Sequence, residues 1–242
     1  MFRKPVFASR PQVAQDLRLS MIAQARRLFL PEATADSSAG QPIAMDSMNS
    51  ELPDPLLVMA LPIESQGVFE HAGVAVLYTG IGKINATHAL TRKLAEYRHA
   101  GRTLPLVINF GTTGSHCLDT GTLVACHQFI QRDMDVTALG FELGVTPFED
   151  LPPLLEFPVL FTTLANVKCG SGDGFVTTGL ATQCDVIDME GYALAKVCRL
   201  ENAQFACAKY VTDGADHSAA NDWQGNLPRA AAAFLVLYRA LI

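Results

Sequence analysis

Three stretches of this sequence place carboxylates beside glycines, each directly after an apolar run. Asp188 and Glu190 lie on either side of Met189, just before a glycine. Asp213 leads into a second glycine turn, and Glu64 follows a third apolar run. Paired acids can accept hydrogen bonds from vicinal hydroxyls, or stabilise a centre that becomes positive in a transition state. A lone Asp-x-Glu is more often a solvated strand end, so the functional interpretation depends on the recurrence of the pattern.

The elements that must position these acids are predicted strands that alternate with helices. Strand signatures occur at Leu56–Leu61, Val74–Tyr78, Leu106–Phe110, Leu123–Ile130, Val159–Val167 and Phe205–Val211, and in the run that ends at Asp188. Helical patterns occur at Asn85–His99, at Tyr192–Cys198 and near the C-terminus, where we expect Asn226 to cap the helix and Pro228 to lie near its start. This alternation predicts an α/β fold, a three-layer α/β/α sandwich. Ligands of such folds bind at the carboxyl ends of the strands.

Glycine-rich turns follow several of these strands. Thr79–Lys83, Gly111–Gly114 and Cys169–Phe175 each allow the backbone to approach a ligand closely. Taken alone, each is equally well explained as a tight turn, so their convergence carries the argument. The Gly-x-Gly of the first turn lacks the third glycine of a dinucleotide fingerprint, and we therefore expect no NAD and no other cofactor.

Composition excludes several classes of function. The 242 residues are 49% hydrophobic and 17% charged, enough to bury a large core, and the net charge of −6 offers no basic field for nucleic acid. The sequence contains no apolar run of about 18 residues, so we expect no membrane association. Six scattered cysteines indicate reduced thiols in a cytoplasmic protein. The histidines lack metal-ligand spacing, which predicts no metal, and no Gly-x-Ser-x-Gly elbow is present.

Residues 1–54 differ from the remainder of the chain. An arginine-rich amphipathic pattern covers Pro11–Leu30, and residues 32–54 have the mixed composition of a linker. We interpret residues 1–54 as an accessory N-terminal helix and linker of unknown role, with a transit peptide as the alternative. Residues 55–242 are predicted to form the functional domain.

Four motifs in a fixed order resemble those of a known family. They are Thr79–Ala86 (TGIGKINA), Ser171–Phe175 (SGDGF), Asp188–Gly191 (DMEG) and Thr212–Asp216 (TDGAD). Residues 56–242 are similar to the purine nucleoside phosphorylase/nucleosidase superfamily, and most closely to the 5′-methylthioadenosine/S-adenosylhomocysteine nucleosidases. The resemblance implies a nucleoside phosphorylase-like fold, with a central mixed β-sheet in the α/β/α sandwich. It also implies hydrolysis of the N-glycosidic bond of an adenine nucleoside.

The resemblance also implies a role for each acid. Asp213, protonated or sharing a proton with N7 of the purine, would make adenine a better leaving group. Glu64 would hold and deprotonate the attacking water, and Glu190 would bind the ribose hydroxyls. The implied substrate-binding residues in the same chain are Thr112, Gly114, Phe175, Val176, Asp188, Met189, Thr212 and Trp223.

A homodimer is expected from a segment rich in exposed apolar residues. The excursion from Leu139 to Pro147 carries more apolar surface than a monomer would leave in water. In the family it resembles, this segment reaches across a two-fold axis into the neighbour's 5′-substituent pocket. We therefore expect Leu139 and Pro147 to line the partner's site.

The sequence departs from the family pattern at several positions. The family usually has Glu where Asp188 lies and often Arg where Lys209 lies, and only 12 residues separate Val176 from Asp188. Phosphorylases of the superfamily place an arginine just before the turn at Gly111, because a guanidinium binds phosphate bidentately. Here Asn109 and Phe110 hold that place, which favours water as the nucleophile. The alternatives are another purine nucleosidase such as a futalosine hydrolase, a phosphorylase, or a non-catalytic nucleoside-binding paralogue.

Overall fold

The structure, a computed structural model, describes residues 55–177 and 183–242. Within these ranges the strands are β1 (Leu56–Met59), β2 (Val76–Tyr78), β3 (Val107–Gly114), β4 (Leu123–Gln131), β5 (Leu154–Glu156), β6 (Ala165–Ser171), β7 (Val186–Asp188) and β8 (Phe205–Asp213). The helices are α1 (Pro62–Ser65), α2 (Val68–His71), α3 (Lys83–His99), α4 (Gly191–Glu201) and α5 (Ala219–Leu241), and a single 3-10 turn covers Thr137–Leu139. The predicted N-terminal helix and linker of residues 1–54 lie outside the described residues.

The strands form one mixed sheet, as predicted, but the sheet closes on itself. Strand β3 pairs in parallel with β1 and β8, and β2 extends the sheet beyond β1. Strand β8 pairs antiparallel with β4, β4 parallel with β6, and β6 parallel with β7. Strand β7 then returns to β3 through one antiparallel residue pair, Gly114 with Ile187, while β5 pairs with the free part of β4. Closure brings the carboxyl ends of β3 and β7 together.

Helices cover the sheet on both faces, which gives the three layers expected from the sequence. On one face Leu90 and Leu94 of α3 and Leu194 of α4 pack into a buried apolar cluster. On the other face Phe234 of α5 stacks on Phe110 of β3, with ring centroids 5.0 Å apart. The site therefore stands on strands that are fixed from both sides.

The predicted strand at Val159–Val167 is wrong. The paired strand is β6, which begins at Ala165, and β5 lies upstream of the predicted stretch. Leu160 and Phe161 are buried in the α5-side core, although their backbone is not part of a strand. The apolar run reflects burial of side chains in a loop, which hydrophobic patterning does not distinguish from burial in a strand.

The predicted cap of the terminal helix is also wrong, because α5 begins seven residues earlier than Asn226. The side-chain nitrogen of Asn226 instead donates to the backbone carbonyls of Thr212 and Asp222, at 3.0 and 2.9 Å. Pro228 lies inside the helix. Asn226 therefore ties α5 to the carboxyl end of β8.

Two further expectations concern the chain as a whole. All six cysteines are free thiols, four of them buried. In the part of the chain that the structure describes, no helix combines the length and apolarity needed to cross a membrane.

We predict that the buried face of α5, which packs on the sheet, contributes far more to stability than its exposed face. Phe234→Ala should lower the free energy of unfolding by about 3–5 kcal/mol, because it leaves a cavity among packed aromatic rings. Val236→Ala is the matched control on the same helix, since Val236 is 70% exposed, and it should change stability by less than about 0.5 kcal/mol. Denaturant unfolding of both variants measures the difference, and equal losses would contradict the packing described.

Candidate active site

Glu64 is held at the carboxyl end of β1 by a tight turn. Helix α1 begins at Pro62, directly after the strand, and ends where Gln66 and Gly67 adopt left-handed backbone conformations, with φ of 50° and 71°. The backbone N–H of Leu61 donates to Oε2 of Glu64 at 3.1 Å. The carboxylate is thereby folded back over the strand end and is almost fully buried.

The other oxygen of Glu64 is bound to β3. Oε1 accepts hydrogen bonds from the backbone N–H of Thr112 at 3.0 Å and from its hydroxyl at 2.8 Å. The indole Nε1–H of Trp223, on α5, donates to the same hydroxyl oxygen at 2.9 Å. Three elements therefore fix the orientation of this carboxylate.

Asp188 forms a buried ion pair with Lys209. Their charged atoms lie 2.8 Å apart, and Asp188 also accepts hydrogen bonds from the Ser171 hydroxyl and the Gly191 N–H. Burial alone would raise the pKa of Asp188, but the charge and hydrogen bond of Lys209 and the other donors together lower it. Burial likewise opposes the charged form of Lys209, and the negative charge of Asp188 overcomes it, so that the pKa of Lys209 is raised. Both oxygens of Asp188 are engaged by these protein donors.

Glu190, two residues further on, has a different environment. It is only 8% exposed, and its Oε1 accepts a hydrogen bond of 2.7 Å from the N–H of Gly82. Burial first, and then the negative charge of Asp188, raise the pKa of Glu190 to about 7, although Lys209 and Gly82 oppose the shift. Glu190 is therefore an acid that changes its charge near neutral pH.

Asp213 lies at the carboxyl end of β8. Its Oδ2 accepts from the Thr212 hydroxyl at 2.8 Å, and its Oδ1 accepts from the Ala215 N–H at 3.0 Å. A Cβ at Gly114 would lie 2.7 Å from Oδ1, so this position on β3 must be glycine for Asp213 to occupy its place. Thr112, which binds Glu64, and Gly114, which leaves room for Asp213, are therefore roughly 7 Å apart along one face of β3.

A network of charged residues fixes the turn before Phe175. The Lys83 ammonium pairs with Asp133, and its backbone N–H donates to Asp173 at 2.8 Å. The Arg132 guanidinium donates to the carbonyls of Gly172 and Gly174. Phe175 follows this turn and is 54% exposed.

These elements enclose a cavity of about 230 Å³. Most of the residues predicted from the sequence line it: Glu64, Thr112, Gly114, Phe175, Val176, Asp188, Met189, Glu190, Thr212, Asp213 and Trp223. Leu139 and Pro147 are not part of the lining of this cavity, and Leu139 is 74% exposed.

Sequence reasoning missed several lining residues, including Leu61, Ile81 and Arg132. Each of them lies in a turn just after a strand, so their positions at the strand ends were the available signal. Arg132 is the most informative, because it directly follows β4 and holds the turn that bears Phe175.

The chemistry available in this cavity is that of carboxylates and hydroxyls. Among the described residues, no group of three or more His, Cys, Asp or Glu side chains is arranged to hold a metal ion. The three acids differ in environment: Glu64 and Asp213 are fixed by neutral donors, whereas Glu190 lies beside a buried ion pair. Such a set can donate a proton, accept one and stabilise positive charge on one bound molecule.

The chain is similar to known nucleosidases in sequence and in fold. A protein from Baumannia cicadellinicola subsp. Homalodisca coagulata, named 5′-methylthioadenosine/S-adenosylhomocysteine nucleosidase, is 30% identical over 174 residues, which are 64% of this chain and 74% of that protein. The Helicobacter pylori enzyme of the same name is 20% identical and superposes with a TM-score of 0.67, over 77% of this chain and 96% of that one. The futalosine hydrolase of Helicobacter pylori strain 26695 gives the same values of identity, coverage and TM-score.

The family assignment follows from a match that covers most of the chain. The sequence pattern of the phosphorylase superfamily matches residues 66–242, which include β2–β8. The protein therefore belongs to the phosphorylase superfamily.

Proposed function

We propose that this protein hydrolyses the N-glycosidic bond of an adenine nucleoside of the 5′-methylthioadenosine/S-adenosylhomocysteine type, releasing adenine and the thioribose. The observation that carries the proposal is the convergence of Glu64, Glu190 and Asp213 on one cavity. The relatives named for this activity support the choice of substrate class.

Asp213 is proposed to activate the leaving group. Breaking the bond between C1′ and N9 leaves negative charge on the purine, and a proton delivered to N7 neutralises it. The Thr212 hydroxyl and the Ala215 N–H hold one oxygen each, so the carboxyl group is oriented before substrate binds. Phe175 and Val176, which line the same cavity, would contact the base.

Glu64 is proposed to hold the attacking water and accept its proton. Its three hydrogen bonds from Leu61 and Thr112 fix the orientation of the carboxylate that would accept this proton. Attack of the water oxygen on C1′ then replaces the bond to N9.

Glu190 and Met189 are proposed to bind the ribose, with Glu190 favouring the positive charge that develops on the sugar. Asp188 was expected to contact the ribose as well. Lys209 and Gly191 engage its Oδ2, whereas its Oδ1 accepts one hydrogen bond, from Ser171. Because Asp188 lines the cavity, we keep a ribose contact through Oδ1 as part of the proposal.

The cationic side chains in and near the cavity are already bonded to other groups, which favours hydrolysis over phosphorolysis. Among the described lining residues Arg132 is the one cationic side chain, and it is bonded to the carbonyls of Gly172 and Gly174. The nearby Lys209 is neutralised by Asp188. Both cations are already bonded to groups of the protein, which disfavours the binding of a phosphate dianion.

A futalosine hydrolase is the second candidate, because the fold resembles that enzyme as closely as it resembles the methylthioadenosine nucleosidase. Both candidates cleave an N-glycosidic bond, and their substrates differ in the base or in the 5′ substituent.

We also propose that the protein is a cytoplasmic homodimer. Leu139, Leu143 and Phe148 are exposed apolar side chains in one segment, and Pro147 of the same segment is half-buried. We propose that Leu139 and Pro147 line the site of a partner. The six free thiols support a reducing compartment. Sedimentation at assay concentration tests the assembly.

A panel of nucleosides tests the proposed reaction. 5′-Methylthioadenosine, S-adenosylhomocysteine, futalosine and inosine should be incubated with phosphate, or with sulfate at equal ionic strength. We expect free adenine and free thioribose from the first two, at rates that do not depend on phosphate. A ribose 1-phosphate ester as the main product would overturn hydrolysis, and cleavage of futalosine alone would select the second candidate.

Substrates with different leaving groups should separate the role of Asp213 from that of Glu64. Asp213→Asn should lower kcat by about 10²–10⁴-fold on adenine nucleosides, and by less on substrates whose base leaves without protonation. Glu64→Gln should lower kcat comparably on every substrate, because its partner is water. Asp216→Asn is the matched control, since Asp216 is an exposed carboxylate in the same loop as Asp213. Turnover per folded molecule near the wild-type value in Asp213→Asn would end the assignment.

The raised pKa of Glu190 predicts that the free energy of unfolding depends on pH. The folded protein keeps this proton between the ordinary pKa of 4.5 and about 7, whereas the unfolded chain releases it. The free energy of unfolding should therefore fall as pH rises through this window, by on the order of 1–3 kcal/mol from this residue. Glu190→Gln should remove that component, so the variant should gain relative to wild type between pH 5 and pH 8 while losing activity on ribosides.

Denaturant unfolding of both proteins at the two pH values measures the gain, and the titration of all other groups cancels in the difference. Parallel stability profiles would contradict the shift.

A further inference from the structure

Trp223 makes one polar contact that its place in the cavity lining does not require. Its indole N–H donates to the hydroxyl oxygen of Thr112 at 2.9 Å, and the same hydroxyl lies 2.8 Å from Oε1 of Glu64. Trp223 comes from the first turns of α5, Thr112 from β3 and Glu64 from α1. The contact therefore links three elements that are far apart in the sequence.

The direction of these hydrogen bonds follows from chemistry. An indole N–H is only a donor, and an ionised carboxylate is only an acceptor. The Thr112 hydroxyl, which has one proton, must therefore accept from Trp223 and donate to Glu64. Without the indole, this hydroxyl could rotate and present a lone pair to the carboxylate.

The chain of hydrogen bonds also determines which oxygen of Glu64 remains available. Oε1 accepts two hydrogen bonds from Thr112, whereas Oε2 accepts one, from the Leu61 N–H. Because each carboxylate oxygen has two acceptor sites, the protein donors of the described residues leave one site open, on Oε2.

We propose that Trp223 is a positioning residue for the general base: by fixing the Thr112 hydroxyl proton on Oε1 of Glu64, it directs the attacking water to Oε2. The inference rests on the proposed function in one respect, the role of Glu64 as a base. The hydrogen bond between Trp223 and Thr112 does not depend on that role. The ring of Trp223 still lines the cavity, so a contact with substrate and the positioning of Glu64 are separate contributions of one side chain.

The hydrogen bond can be tested without any substrate, because Trp223 is the single tryptophan of the chain. Its indole N–H gives one resonance in a ¹H–¹⁵N correlation spectrum. Thr112→Val removes the acceptor and should shift this resonance upfield and speed its exchange with solvent. Thr112→Ser keeps the hydroxyl and should leave it near the wild-type position. An indole resonance that Thr112→Val does not move would overturn the inference, and the remaining amide signals show whether each variant is folded.

The effect on the base is tested by a double-mutant cycle. Trp223→Phe keeps an aromatic ring but loses the donor, and it should lower kcat by about 2- to 10-fold, the value of one neutral hydrogen bond, with a smaller change in KM. In the Thr112→Ser background, Trp223→Phe should lower kcat by the same factor as in the wild-type background. In the Thr112→Val background, which has no hydroxyl to orient, it should have almost none.

The outcomes distinguish this inference from the proposed function. Equal effects of Trp223→Phe on kcat in both backgrounds of an active enzyme would overturn the positioning role and leave the hydrolase assignment intact. A wild-type protein that cleaves no nucleoside of the panel would overturn the assignment of Glu64 as a base, and with it the proposed role of Trp223.

Discussion

The ion pair between Lys209 and Asp188 is the interaction on which the arrangement of the site depends. It joins β8 to β7 inside the closed sheet, and the Ser171 hydroxyl and the Gly191 N–H add β6 and the start of α4 to the same carboxylate. Two charges removed from water are tolerated only when such additional hydrogen bonds satisfy them, and loss of one partner leaves the other uncompensated, at a cost of about 3–5 kcal/mol. Even the neighbouring strand conforms to the pair, because a Cβ at Gly111 would lie 2.9 Å from the Lys209 nitrogen.

Closure of the sheet explains how acids from separate strands reach one cavity. In an open sheet, the ends of β3 and β7 would be separated by other strands. Here they meet through the single pair of Gly114 with Ile187, and Gly114 also leaves room for Asp213. The lack of a side chain at Gly114 therefore makes room for Asp213 at the residue that also pairs with β7. Because one residue meets two constraints, the geometry of the site and the topology of the sheet are inseparable at this point.

The sequence predicted most of the site because strand-end acids and glycines are local signals. Asp188, Glu190 and Asp213 could be located from the residues beside them, and the layered α/β fold from the alternation of elements. The partner of Asp188 could not be predicted, since Lys209 is 21 residues away and is brought near only by strand pairing. The misplaced strand at Val159–Val167 has a related cause: side-chain burial in a loop and in a strand gives the same apolar pattern. The hydrogen bond between Trp223 and Thr112 likewise has no counterpart in local sequence.

The balance of charge in the cavity connects this architecture to the proposed chemistry. Lys209 is neutralised by Asp188, so the carboxylates of Glu64, Glu190 and Asp213 set the sign of the potential that a ligand meets. A sugar that becomes positive in the transition state is stabilised by such a field, whereas a phosphate dianion is repelled by it. Burial first, and then the negative charge of Asp188, raise the pKa of Glu190 to about 7, so this acid can carry its negative charge near neutral pH. The pair that organises the strands therefore also leaves the cavity suited to a cationic transition state with water as its nucleophile.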